Sequence, residues 1–130
     1  MSQAKTILHV VQSAYRGTLE EQDDTILWLV QALAGAGAAP HVLLRGNAVN
    51  YLVRGQDASG LEFGKRRQTQ PPRIELDLAR MIEKGIAVQF VGEDLEDRGI
   101  SLPSILPGAR GVSRGALAGL YSGYDQIWVW

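Results

Sequence analysis

Ile86-Ala87-Val88-Gln89-Phe90-Val91-Gly92-Glu93-Asp94-Leu95-Glu96-Asp97 holds the decisive local pattern of this chain. Its first six residues are nearly all apolar and lack the alternation of a strand with one wet face. That is the signature of a strand buried on both sides in a parallel sheet. Gly92 breaks the run, and Glu93 to Asp97 reads as a short helix whose acidic first turn suits the positive end of the helix dipole. A buried strand that runs into a helix predicts a crossover back to a parallel neighbour.

Outward from this stretch the same grammar repeats. Lys5 to Gln12 (KTILHVVQ) and His41 to Leu44 (HVLL) read as strands, as do a short segment near Val112 and Gln126 to Trp130 (QIWVW). Helical spacing separates them. Ile26, Leu29, Val30 and Leu33 recur at i, i+3, i+4 and i+7 behind a cap at Asp23 or Asp24, with Gly35 and Gly37 as the stop. Ala48 to Val53 reads as a short helix after a turn at Arg45-Gly46-Asn47. Ile74, Leu78, Met81 and Ile82 share a face closed by Gly85, and Ser113 to Tyr121 reads as a last helix. Strands alternating with helices predict one α/β domain over residues 1–130, with a five-stranded, mostly parallel sheet and helices on both faces. Residues 56–72 lack periodicity. A loop that long implies mobility, function or contact with a neighbour.

Composition narrows the function. The chain has 130 residues, 45% hydrophobic and 21% charged, enough to bury a core without metal or disulfide staples. A net charge of -1 supplies no cationic field for nucleic acid or anionic lipid. Lys65-Arg66-Arg67 is read as a solvated loop. No window approaches the ~20 apolar residues of a membrane span, and the start of the sequence lacks a signal peptide's apolar core. With no cysteine, which fits a reducing compartment, the expected location is the cytoplasm.

Ligands of open parallel sheets bind beyond the carboxyl ends of the strands, where strand order reverses. If the first strand is central, the loops after the first three strands line that crevice. They hold Ser13, Tyr15 and Arg16; Arg45, Asn47 and Tyr51; and Gly92, Glu93 and Asp94. The candidate ligand-binding set is Tyr15, Arg16, Asn47, Tyr51, Gly92, Glu93 and Asp94. Free N–H groups after Gly92 suit an anion, but Glu93 and Asp94 would compete with phosphate for them. Gly35-Ala36-Gly37 follows a helix rather than a strand and is a helix stop, not a dinucleotide loop. His9 and His41 sit singly inside apolar strands, as core histidines do. No Gly-x-Ser-x-Gly elbow is present, and Trp28, Trp128 and Trp130 read as packing or interface anchors. No catalytic residue, metal or cofactor is expected.

The segment Phe90-Val91-Gly92-Glu93-Asp94-Leu95, continued by Arg98-Gly99-Ile100, resembles the hallmark of the DsrE/DsrF-like family, apolar-Cys-Gly-x-x-Leu-x-x-Arg-Gly-Ile. The opening strand Ile7 to Val11, the block Leu43 to Val49 and the closing Gly115 to Tyr124 agree in order, so the similarity spans nearly the whole chain apart from residues 56–72. The resemblance implies a flavodoxin-like sheet, assembly into homotrimers or hexamers, and a role in intracellular sulfur trafficking. Members that carry sulfur hold it as a persulfide on the cysteine ending the third strand. Val91 occupies that position here, or Asp94 in a looser register, and neither can form a persulfide because the nucleophile must be a thiolate. Some members of the family's hetero-oligomers lack the cysteine and serve as structural subunits. The expectation is a non-catalytic, DsrE-like interaction subunit, with a cysteine-bearing sulfur carrier as a possible partner. The alternatives are a small-ligand-binding module at the strand ends, or an enzyme using Glu93 or Asp94 as a base.

Overall fold

The computed structural model describes residues 5–15, 24–57 and 59–130. Strand β1 is Thr6–Val11, followed by helix α1, Thr25–Gly35, and strand β2, Ala39–Leu44. A 3-10 helix, Gly46–Leu52, leads to a hairpin of β3 (Glu62–Phe63) and β4 (Arg66–Arg67). Helix α2 is Ile74–Glu83, β5 is Val88–Val91 and α3 is Gly92–Asp97. Two more 3-10 turns flank β6 (Arg110–Val112), before α4 (Leu117–Ser122) and β7 (Gln126–Val129).

Five strands form one parallel sheet in the order β6-β5-β2-β1-β7, a flavodoxin-like α/β arrangement. The first strand is therefore not central. β2 is, while β1 lies between β2 and β7. The chain steps from β1 through β2 and β5 to β6, then returns across the sheet to add β7 on the far side of β1. Register at that last addition is pinned at both ends. The Asp125 carboxylate accepts the Thr6 N–H at 2.8 Å, and the Trp130 N–H donates to the Val10 carbonyl at 2.8 Å.

Two apolar layers hold the sheet. On one face Val11, Val42, Leu44, Val88 and Phe90 pack with Ile26, Leu27 and Val30 of α1 and Leu78 and Met81 of α2. On the other, Leu8, Val10, Leu43 and Val91 meet Leu117 of α4. Each fully buried aliphatic side chain contributes about 1.5–3 kcal/mol. α1 starts where Asp24 accepts the N–H groups of Ile26 and Leu27 at 2.8 and 3.2 Å; Asp23 lies outside the described residues. Its buried stripe is turned slightly from the expected one: Leu27 is enclosed, whereas Leu29 and Leu33 are half-buried.

Three local expectations need correction. The helix expected over Ala48 to Val53 is the 3-10 helix Gly46–Leu52. The last helix starts as a 3-10 turn at Arg114–Ala116 before becoming α4. Residues 56–72 are not wholly irregular, because β3 and β4 pair antiparallel as Glu62↔Arg67 and Phe63↔Arg66. Gly64 makes their two-residue turn with φ of +63°, a conformation that favours glycine. Lys65, Arg66 and Arg67 are exposed there as expected, but in a hairpin.

Candidate functional site

The carboxyl ends of β1, β2 and β5 do bring most of the candidate residues together, in two hydrogen-bonded groups. In the first, the buried Tyr51 hydroxyl donates to Asp24 Oδ2 at 2.5 Å and accepts the Tyr15 N–H. The Tyr15 and Tyr51 rings meet edge to face, 5.0 Å between centroids. Tyr15 holds a left-handed backbone, φ of 59°, and its hydroxyl donates to Gln56 Oε1 at 2.6 Å. Burial pushes its phenol pKa up. A non-glycine residue in that conformation is uncommon and needs surrounding contacts to keep it there. Arg16 lies outside the described residues.

The second group centres on Asp94, which is buried at the start of α3. One carboxylate oxygen accepts the Gly46 N–H at 2.7 Å, the other the Arg114 guanidinium at 2.7 Å. Gly46 reaches it in a left-handed conformation, φ of +57°, where a side chain would be strained. Burial alone would raise the Asp94 pKa, but the Gly46 N–H and the Arg114 and Arg98 charges outweigh it and hold the carboxyl below its ordinary value. Arg98 donates to Asn47 Oδ1 at 2.9 Å and to the Asp94 carbonyl at 3.1 Å. Glu93 accepts the Arg114 N–H with both oxygens, at 3.0 and 2.9 Å, and so caps the turn after β6. Both acids thus join α3 to other segments; each is already engaged by cations or N–H groups, a poor setting for a base that must take a substrate proton.

Val91, the last residue of β5, is fully enclosed against Leu8, Val10, Leu43 and Leu117. Its side chain faces the α4 layer and not the strand-end groups. His9 is a fully buried core histidine, whereas His41 is only half-buried. His9 Nδ1 accepts from the Trp130 indole at 3.1 Å, and its buried Nε2 has no partner among the described residues. His41 Nδ1 pairs with the Tyr124 hydroxyl at 2.7 Å. Burial lowers both pKa values. Among the described residues no three histidine, aspartate or glutamate side chains gather as metal ligands would.

A pocket among the described residues lies elsewhere. Open and about 790 Å³ in volume, it lies beside β5 and β6, walled by Phe90, Leu95, Ile100, Leu102, Leu106 and Val112. Of the sequence candidates only Gly92 lines it; Tyr15, Asn47, Tyr51, Glu93 and Asp94 do not. Arg54, Glu96 and Ser113 supply polar groups. Its outer wall is the stretch Leu102 to Leu106, held by the Leu106 N–H on the Leu52 carbonyl at 2.8 Å and the Arg54 N–H on the Ser104 carbonyl at 2.9 Å. Sequence reading passed over this wall because residues 99–111 have no period. The available signal was three apolar residues, Leu102, Ile105 and Leu106, crowded around Pro103 and Pro107.

No protein-family model and no curated protein matches the chain. Solved structures do. The crystal structure of the YchN protein from E. coli is similar over 97% of this chain and 99% of that one, with a TM-score of 0.73 and 20% identity. The structure of MTH1491, a protein of unknown function from Methanobacterium thermoautotrophicum, is similar over 96% and 98%, with a TM-score of 0.62 and 15% identity. At these identities the likeness is one of fold. Among the described residues no helix is long and apolar enough to cross a membrane.

Proposed function

We propose that this chain is a non-catalytic, DsrE-like interaction subunit of intracellular sulfur trafficking that does not itself carry persulfide. One observation carries the reading: the strand end where the resemblance calls for a sulfur-bearing cysteine holds a buried valine, Val91, in a chain with no cysteine at all. The looser register offers no thiolate either, since Asp94 is a buried carboxylate tied to Gly46 and Arg114. The assembly expected of such a subunit is a homotrimer or hexamer in the cytoplasm. Its motive is β7, an edge strand whose Trp128 and Val129 remain 37% and 61% exposed. A cysteine-bearing carrier is the proposed partner. The test is intact mass after incubation with a persulfide donor, alone and with such a carrier. The chain alone gains no adduct of about 32 dalton, one sulfur atom, and any effect on transfer runs through the carrier. Stable sulfur loading on the chain alone overturns the reading.

The pocket beside β5 and β6 favours a second reading, a small-ligand-binding module. A Cβ at Gly92 would lie 3.8 Å from the Val112 carbonyl, so the backbone tolerates a side chain there. Gly92→Leu should then block an apolar fluorophore from the pocket without unfolding the chain. Equal fluorophore binding by parent and variant counts against a ligand at Gly92.

A further inference from the structure

The β3–β4 hairpin is an arm without a body. Residues 61–67 are all exposed, and a two-stranded hairpin alone in water is marginally stable at best. Yet it is well specified, with a glycine turn, a regular register and an ion pair between Glu62 and Arg67 at 3.4 Å. Alternation puts Leu61 and Phe63 on one side of the ribbon, with Arg66 opposite Phe63, while Glu62 and Arg67 take the other. The ribbon therefore presents an apolar face flanked by positive charge, and Phe63 is 53% exposed.

The pocket beside β5 and β6 has the complementary character. Its walls are apolar, and Leu102 on its outer wall is 67% exposed. Glu96 lines it without an ion-pair partner among the described residues, whereas Asp97, next on the same helix, is already paired with Arg114 at 3.4 Å. Arg54 also stands in the pocket wall, its guanidinium donating to the Pro103 carbonyl at 2.6 Å. Leu61 and Phe63 do not line the pocket of their own chain.

We propose that the hairpin of one copy seats its Leu61–Phe63 face in the pocket of a second copy, with Lys65 and Arg66 against Glu96. Charge complementarity and the pairing of a convex with a concave apolar surface select another copy of this chain as the occupant. Because arm and pocket are different surfaces, the contact can repeat from subunit to subunit and close a ring. The inference rests on the oligomeric reading above and names the surface that builds the oligomer.

The cysteine-free background makes the test clean. One chain carries Leu61→Cys and a differently tagged chain carries Ser113→Cys; Ser113 lines the pocket. The two are co-expressed and mildly oxidised. The mixed disulfide should exceed either like-with-like disulfide by about tenfold, and Phe63→Glu in the arm-bearing chain should abolish that excess. Sedimentation of the parent separates the two ways of failing. A monomer at high micromolar concentration overturns the oligomeric reading and this inference with it. An oligomer without excess mixed disulfide overturns the arm-in-pocket contact alone. Fluorophore binding in the pocket of such an oligomer, again without mixed disulfide, also overturns it and assigns the pocket to a small ligand.

Discussion

Asp94 is the residue on which most of the strand-end geometry depends, because it ties the start of α3 to the loop after β2 and to the segment after β6. Asp94→Ala leaves the Gly46 N–H and the Arg114 guanidinium without this acceptor. A loss of about 1–3 kcal/mol is expected, read as a fall in urea midpoint with unchanged slope. Acid should act through the same group. Its folded pKa is depressed, so its contribution is present above the ordinary value of 3.8 and lost as pH falls from there through the folded value. The histidines act earlier. Burial depresses both below 6.5, so the unfolded chain takes up their protons first, and stability falls as pH drops below 6.5. His9→Phe with His41→Phe should flatten that upper part of the profile and leave the lower part in place. An unchanged upper part in urea titrations would contradict this. At this scale sequence reading placed Tyr15, Tyr51, Asn47, Glu93 and Asp94 at strand ends from topology alone, and the structure distributes them over two hydrogen-bonded groups. Sequence reading could not find Asp24, Gly46 and Arg114, which partner them, since hydrogen-bond partners 20 or more positions apart leave no local pattern.

At the scale of elements, what was legible followed from how each piece meets water. Strands buried on both faces announce themselves as apolar runs, which is why β1, β2 and β5 were readable; β7 was readable from its apolar, aromatic composition although most of it is exposed. Their order was not, because pairing of β1 with β7 depends on contacts such as Thr6 with Asp125 that no window contains. The hairpin was missed because two-residue strands with every side chain exposed carry no burial pattern. The turn after Pro107 offers a sharp test of element packing. Gly108 has φ of +95°, and an added Cβ would stand 2.8 Å from Ile82 Cγ2 of α2. Gly108→Ala combines backbone strain of about 1–2 kcal/mol with a steric clash. It should lower the melting temperature. Gly115→Ala, where a Cβ meets nothing within 4 Å, should change it little.

For the molecule as a whole, the sheet leaves two unpaired edges, β6 and β7, of very different character. β6 is only three residues long and carries the charged Arg110, whereas β7 presents Gln126-Ile127-Trp128-Val129 with no proline or charge to discourage pairing. The expected outcome is an oligomer in sedimentation at micromolar concentration, with Val129→Lys shifting it towards smaller species. An unshifted mass would remove the β7 edge from the assembly. Here the sequence was informative about the motive, an aromatic apolar end, and silent about the surfaces, because docking depends on shape, which composition does not encode.

The return of the chain to β1 also sets a timetable for its birth. β1 leaves the ribosome well before one of its two neighbours, β7, which is 119 positions downstream at the Thr6–Asp125 contact. Until Gln126 to Val129 emerge, β1 can pair only with β2, and Leu8, Val10 and His9 border an open flank. Such a long-range closure slows folding, and nascent chains with an open strand flank are prone to stick to one another. Translation that stalls just short of Gln126 would therefore yield a chain with its β2–β1 half formed and its flank exposed, a natural client for a chaperone.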